Sequence, residues 1–507
     1  MNSGEGSIKA DIMDKSGDRL YDVVIVGAGI VGAFLAYELS RSCWKVAVVE
    51  KELDVALGAS KANSGIIHAG YDPEPGTLKA RLNVEGSRLY EGLSRELSFG
   101  YKKTGSFVVA LTEEEERALT GLMDRGLENG VEGLELLSGE AARSLEPGLT
   151  NKALKVLMAN STAVVDPWEV AIAALESAVD NGVRLLLNTC VTGASSASLD
   201  ASGGPFLLDT TQGRLAAKVV VNAAGVHAGE ISALLSGGKA EFEIIPKRGQ
   251  YFVLDRAAGP LIQRVIYPAP SAMGKGVLVI PTLHGNIMAG PDNETLTAEE
   301  GEAVQTTAGG LAYVRDRAEL LVPGIPFHLG IANFSGIRAE STEKDFIIRA
   351  SKSHPGWIHA AGIKSPGLSA APAIAGRLLS LIRECLSGYS HKPDFRPGRR
   401  PRPVLSEMTP EVRRQSIAEN PMFSHIVCRC EMVSEAEVVD CIRRSVGART
   451  LNGVKRRVRP GGGRCQGGFC APRILEILSR ELGIPETEVC LEHPGSKMVF
   501  KKGGTLL

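Results

Sequence analysis

The reactive residue types of this 507-residue chain gather in two places, a glycine run near its start and four cysteines near its end. Gly27, Gly29 and Gly32 follow the apolar run 21–26 (YDVVIV) and open a helical pattern that continues to Leu39. In that setting the first glycine permits a tight turn and the second lets a pyrophosphate approach the backbone. The third lets helix and strand pack closely, while the helix N-terminus offers N–H groups and a positive dipole end to phosphate. Glu50 lies 21 residues beyond Gly29, where a carboxylate can accept hydrogen bonds from a ribose diol. The glycines alone would also suit a structural turn; strand, helix and acid in register point to dinucleotide binding. At the other end, Cys428 and Cys430 form a C-x-C pair and Cys465 and Cys470 a C-x4-C pair, with 34 residues between the pairs. Four thiolates suit a [2Fe–2S] cluster or a structural zinc, and the absence of paired C-x2-C knuckles favours the cluster.

The elements that must position these groups can be read from periodicity. After the first strand and helix, a second strand over 45–49 ends at Glu50 and completes a βαβ unit. The alternation returns as a helix over 167–181, a strand over 183–191, a strand over 218–222 and a helix from about Glu230. Runs rich in β-branched and aromatic residues at 105–111, 249–254 and 276–290 predict an antiparallel sheet in a second domain. A strand over 357–361 and a helix from about Ala371 bring the chain back to the first domain. Pro393, Pro397, Pro401, Pro403 and Pro410, mixed with Arg396, Arg399, Arg400 and Arg402, make the stretch 391–421 read as an extended, semi-rigid linker. The expected division is therefore a disordered extension over 1–19 and a discontinuous dinucleotide-binding domain, assigned to FAD below, over 20–95, 160–240 and 355–388. A substrate domain follows over 96–159 and 241–354, then a linker over 389–421 and a cluster domain over 422–507. The fold class is an α/β Rossmann-like domain with an α+β antiparallel-sheet domain and a small helical [2Fe–2S] domain.

Composition narrows the partners. The formal net charge is −1, which gives no global attraction to nucleic acid or anionic lipid. No stretch is apolar and long enough for a membrane span or a signal peptide, so a cytoplasmic protein, associated with a membrane only through a partner, is expected. Cys441 sits in a helical apolar pattern and reads as core, and Cys43, Cys190, Cys385 and Cys490 read as packing residues. Arg456, Arg457, Arg459 and Arg464 would offset the cluster's charge, dock an acidic partner, or form a solvated basic face. A single dinucleotide fingerprint suits a flavin enzyme that oxidises its substrate directly, without a second site for a nicotinamide. Glycine loops at 59–70, 222–225 and 362–367 are placed to converge on one extended cofactor.

The runs NSGIIHAG (63–70), PGTLKA (75–80), PKRGQY (246–251), SGIRAE (335–340) and GIKSPGLSAAPAIAG (362–376) resemble the D-amino-acid-oxidase-like FAD superfamily. Within it the likeness is to flavin-dependent glycerol-3-phosphate dehydrogenases and L-2-hydroxyglutarate oxidases, over roughly residues 20–385. The C-terminal part is similar to bacterioferritin-associated-ferredoxin [2Fe–2S] domains. The resemblance implies that Gly27, Gly29, Gly32, Glu50, Ser60 and Gly225 hold FAD, that Val191 offers its backbone to the adenine, and that Gly362 and Gly367 approach the flavin ring. Arg338 would face the substrate's anionic group, since a planar guanidinium grips phosphate or carboxylate with two donors; Lys364 and Arg248 follow as candidates. His68 is the candidate base or hydroxyl-orienting group, with a hydrogen-bonded loop residue as its plain reading. His227 and His359 read as structural. Lys364 falls at a lysine of the glycerol-3-phosphate enzymes and favours sn-glycerol 3-phosphate, oxidised to dihydroxyacetone phosphate. NSGIIHAG is closer to the 2-hydroxyglutarate form and keeps that substrate open. The expected electron path runs from FAD through the cluster to a second flavoprotein or acceptor subunit. An electron-relay or assembly subunit without turnover, and a cluster domain that only docks a partner, are the competing readings.

Overall fold

The strand Leu20–Val26 is apolar on both sides, with Val23, Val24 and Ile25 fully buried, because it lies at the centre of a sheet covered on both faces. The structure is a computed structural model and describes residues 20–196, 205–270, 276–297, 300–301 and 303–500; the expected extension 1–19 lies outside them. This eight-stranded sheet runs in the order Val191–Ser196, Phe206–Thr210, Gly213–Asn222, Leu20–Val26, Val46–Val49, Arg184–Leu186. Trp357–Ala361 pairs with Gly213–Asn222, and Ile347–Ala350 pairs with Trp357–Ala361. The pairings of Leu20–Val26 with both its neighbours are parallel, as a βαβ start requires. Helix Ile30–Leu39 is buried nearly all round because helices Pro167–Asp180 and Gly367–Cys385 pack on the side away from the sheet.

A second, nine-stranded sheet forms the other domain. Its longest pairing joins Ile244–Leu254 to Gly330–Ser341 antiparallel, with Lys247 opposite Arg338 and Gly249 opposite Gly336. A small three-stranded sheet of Ile66–Ile67, Ala163–Val165 and Tyr101–Lys103 lies between the two larger ones in the chain path. Beyond residue 421 a short hairpin and the helices Glu435–Arg443, Leu451–Val458 and Ala471–Leu482 enclose their own core. No helix among the described residues is long and apolar enough to cross a membrane.

Several expectations need correction. The strand expected over 183–191 is two strands, Arg184–Leu186 and Val191–Ser196, separated where Asn188 takes a left-handed conformation (φ 52°). The last long helix begins at Gly367, earlier than expected, and carries Pro372 within its first turns. Ile347–Ala350, placed with the substrate domain by the sequence, belongs to the first sheet. The segment read as an extended linker contains helix Pro410–Glu419, and Arg399 within it is buried against the first domain. Its guanidinium meets Glu169 and Glu176 of helix Pro167–Asp180, each at 3.0 Å. Cys441 is core, with burial pushing its thiol up to about 12. Cys43 and Cys385 are exposed rather than packed.

Candidate active site

The turn after Leu20–Val26 admits only glycine at two points. Gly27 has φ +106°, and a Cβ there would lie 2.6 Å from the Ala223 carbonyl oxygen; a Cβ on Gly32 would lie 2.0 Å from the Gly27 oxygen. Gly29 precedes helix Ile30–Leu39, whose first turn has no acidic side chain to compensate the positive end of its dipole. The Ile30 N–H donates to Ser60 Oγ (2.9 Å), which places Ser60 at the helix start. Glu50 accepts from the Ala28 N–H (2.8 Å) and the Glu52 N–H (3.1 Å), and burial pushes its carboxyl up. Val191 begins a strand just after Thr189, whose N–H donates to the Glu50 carbonyl. Gly225, at φ +60°, follows the strand end that touches Gly27. Six of the nine proposed cofactor-binding residues thus share one cradle of backbone donors, a recessed carboxylate and a helix N-terminus, with Val191 at its rim. That donor set fits the phosphates and ribose of FAD.

Gly362 and Gly367 flank a loop on the other side of His68. The His68 N–H donates to Ser369 Oγ (2.7 Å) in helix Gly367–Cys385, fixing the loop 66–70 against that helix. The imidazole lies between two hydroxyls, with Nδ1 3.0 Å from Tyr267 Oη and Nε2 3.4 Å from Ser365 Oγ. Burial pushes the Tyr267 phenol well above its ordinary range, so it stays neutral. A proton on Nδ1 donated to Tyr267 would leave Nε2 as the basic nitrogen. His68 and Tyr267 also line a cavity of about 20 Å³ together with Asn83, whose buried amide has no hydrogen-bond partner there. That volume suits a single water. Nothing in the sequence singled out Tyr267, Ser365 or Asn83, because their strand, loop and helix are unremarkable in pattern.

The two candidate arginines stand on paired strands, and register separates them. Arg338 is opposite Lys247, whereas Arg248 is opposite Ile337. Opposed residues share a face and adjacent residues do not, so the two guanidiniums leave the sheet on opposite sides. Arg338 shares its face with Gly249, where a Cβ would lie 1.8 Å from Arg338 Nη2, and with Gly336, where a Cβ would lie 2.2 Å from the Ala62 oxygen. That face therefore packs toward the loop bearing Ser60. Arg338 donates to the Asp292 carbonyl (2.9 Å) and Asn293 Oδ1 (3.1 Å). Arg248 is buried on the far side in an ion pair with Glu294 (2.8 Å) and a hydrogen bond to the Gln305 carbonyl (3.0 Å), and is not brought to the other candidates. Lys364 is not a free cation either, because it pairs with Glu340, which Lys247 also approaches (3.1 Å). Burial raises the Glu340 carboxyl, but the two lysines outweigh it and hold it down.

The four cysteines come together in pairs. Cys430 and Cys465 have their sulfurs 3.8 Å apart, and Cys428 is hydrogen-bonded by Cys470. That bond, joined by backbone N–H groups of Gly461, Glu431 and Cys430, brings the Cys428 thiol down to about 6 despite burial. Cys470 is the N-cap of helix Ala471–Leu482, so the helix dipole faces the sulfurs. Among the described residues no three His, Cys, Asp or Glu converge as ligands of one ion. Two thiol pairs supply the four ligands a [2Fe–2S] cluster requires. Of the nearby arginines only Arg456 and Arg457 are buried, whereas Arg464 is largely exposed. Arg456 and Arg457 bind Asp54 of the first domain, Arg459 binds Glu431, and Arg464 binds Asp255.

Comparison with known proteins agrees with both halves. Residues 22–381 match the family model described as FAD dependent oxidoreductase, and residues 426–480 match a BFD-like [2Fe-2S] binding domain. A glycerol 3-phosphate dehydrogenase of Caloramator mitchellensis is 42% identical over 94% of this chain and 98% of its own length. The human mitochondrial L-2-hydroxyglutarate dehydrogenase is 33% identical over 55% of this chain and 62% of its own. The structure of dithionite-reduced L-alpha-glycerophosphate oxidase from Mycoplasma pneumoniae with FAD bound superimposes with a TM-score of 0.69 at 32% identity. It covers 74% of this chain and 97% of that one. FAD and a [2Fe–2S] cluster are the cofactors these matches carry, and the zinc alternative falls with them.

Proposed function

The chain belongs to the FAD dependent oxidoreductase family and carries a BFD-like [2Fe-2S] domain, and from that premise we propose that it oxidises sn-glycerol 3-phosphate to dihydroxyacetone phosphate. The observation that carries this reading is the glycerol 3-phosphate dehydrogenase of Caloramator mitchellensis, whose match spans both domains.

Bound FAD supplies a hydride acceptor, and the cluster supplies one-electron transfer toward an acceptor outside the chain. The residues of the chain do the rest. Arg338 holds the phosphate, the Gly249–Gly336 gap leaving room for its guanidinium. Glu340 pairs with both Lys364 and Lys247, and its single charge offsets only one of them, so with Arg338 the face stays net positive toward the anion. His68 Nε2 takes the hydroxyl proton as the carbon surrenders its hydride, and Tyr267 and Ser369 hold the ring and its backbone in place. Ser365 marks the side on which the hydroxyl is received. The acceptor is a second flavoprotein or an electron-accepting subunit.

Anaerobic addition of substrate tests the reading. Glycerol 3-phosphate bleaches the flavin band of the purified protein and L-2-hydroxyglutarate does not. Bleaching by L-2-hydroxyglutarate alone transfers the assignment to that acid. If neither compound reduces a bound flavin, the relay reading replaces both.

A further inference from the structure

The loop from Glu50 to Ser60 supplies two groups of the dinucleotide cradle, and its outer side is covered by the C-terminal domain. Three points of contact span it. Glu52 Oε2 is 2.9 Å from His493 Nδ1, and Lys61 Nζ is 2.7 Å from Glu492 Oε2. Between them Asp54 is clasped by Arg457, with Oδ1 to Nη2 at 2.7 Å and Oδ2 to Nη1 at 2.8 Å, and by Arg456 Nη2 at 3.1 Å. The side chains of Asp54 and Arg457 are each 1% exposed. Arg457 is anchored in its own domain by donating to the Val446 and Gly453 carbonyls. Helix Leu451–Val458 approaches so closely that a Cβ on Gly453 would sit 3.0 Å from Asp54 Oδ2.

On the inner side the same loop sets the phosphate turn. Asp54 Oδ1 accepts from the Val55 N–H (2.8 Å), and Ala56, left-handed at φ 63°, donates its N–H to the Ala28 carbonyl (3.0 Å). A trans peptide points its carbonyl and N–H in opposite directions. With the Ala28 oxygen turned to Ala56, the Gly29 N–H is turned away from the loop, into the cradle. A single residue, Val55, therefore separates Asp54 from the contact that orients a phosphate donor.

We propose that the C-terminal domain is part of the FAD site, with Arg457 a positioning residue that holds the 52–61 loop and thereby retains the cofactor. Removing Arg457 leaves a buried carboxylate with reduced pairing, a state the loop relieves only by moving toward water. That movement carries Ala56 off Ala28 and loosens the turn. The inference rests on FAD binding alone and is indifferent to which substrate is oxidised.

The test is the rate of FAD release from the full-length holoenzyme, followed by the fluorescence of freed flavin after dilution, below the melting temperature. Arg457→Met is expected to release FAD about tenfold faster, equivalent to about 1.4 kcal/mol. The double variant Asp54→Asn/Arg457→Met removes both charges of the buried pair, while Arg456 keeps Glu492 as its partner, and is expected to return to within about threefold of the parent. A wild-type release rate in Arg457→Met, with the cluster's visible spectrum intact, overturns the proposal, because a purely structural pair would lower the melting temperature alone. If Arg457→Met does not fold, the rim variant Glu52→Gln/Lys61→Met decides. It is expected to release FAD two to three times faster, and no change in it overturns the proposal.

Discussion

Arg338 and Arg248 are both basic, both on long strands of one sheet, and one residue of register gives them different work. Arg338 shares the face that packs on Ala62, while Arg248 pairs with Glu294 on the other. Arg338→Ala should raise KM for glycerol 3-phosphate a hundredfold or more while FAD content and melting temperature hold, since about 3 kcal/mol is typical of a charge-assisted contact. Arg248→Ala should do the reverse, costing about 2 kcal/mol of stability in a denaturant melt and leaving KM close to that of the parent. The sequence put Arg248 just before the strand expected over 249–254 and no strand over Arg338, and it could not say which face either takes, because register is fixed by strands some 90 residues apart. For His68 the sequence offered a base beside glycines, and the structure adds its neighbours. His68→Asn should slow anaerobic flavin reduction about 100-fold or more with FAD still bound, and Tyr267→Phe should slow it less, by freeing the ring that Tyr267 steadies. Equal rates in His68→Asn and the parent would remove His68 from the chemistry.

Elements were legible where a local pattern decides them and illegible where a distant partner does. The first βαβ unit follows from apolar runs and glycines, and the helix after Cys470 from its apolar stripe, with Ile474, Leu475, Ile477 and Leu478 buried as that stripe requires. The segment 389–421 misleads because proline and arginine together read as solvated chain. Its Arg399 is satisfied by Glu169 and Glu176, more than two hundred residues earlier. The same holds for helix Leu451–Val458, whose basic residues look solvated until Asp54 is placed beneath them. Burial raises the Asp54 carboxyl, but Arg457 and Arg456 outweigh it and hold it at about 2, below its ordinary 3.8. A depressed folded pKa gives stability that is fully present above 3.8 and lost as pH falls toward 2, on the order of 2 kcal/mol in all. Acid titration of the holoenzyme should therefore show an acid transition in that window, with flavin fluorescence rising. Asp54→Asn should lose that component of the transition, and an unchanged acid profile in the variant would contradict the pairing.

At the scale of the whole molecule, the question is whether the cluster domain conducts or only docks. It is seated on both larger domains. Arg457 and Arg456 hold the cofactor loop, while Arg464 reaches Asp255 and Glu431 reaches Arg256, just beyond the strand Ile244–Leu254 that also carries Lys247 and Gly249. Glu431 and Arg464 are sequence neighbours of Cys430 and Cys465, so the loops that bear the outer thiol pair are tied to the domain of the nine-stranded sheet. A module that merely recruited a partner would not need its metal-binding loops fixed to the catalytic body, whereas a conductor must keep a set distance. Of the four proposed cluster ligands Cys430 is exposed and Cys428 and Cys470 are buried, so Cys430→Ser should disturb the cluster with least damage to the fold. In the parent, rapid anaerobic mixing with glycerol 3-phosphate should bleach the flavin first and the cluster second. In Cys430→Ser the flavin phase should persist, the cluster phase should vanish, and reduction of a one-electron acceptor protein should fall at least tenfold. If that acceptor is reduced at the parent's rate by a variant without its cluster, electrons leave from the flavin directly and the C-terminal domain serves the cofactor site by position alone.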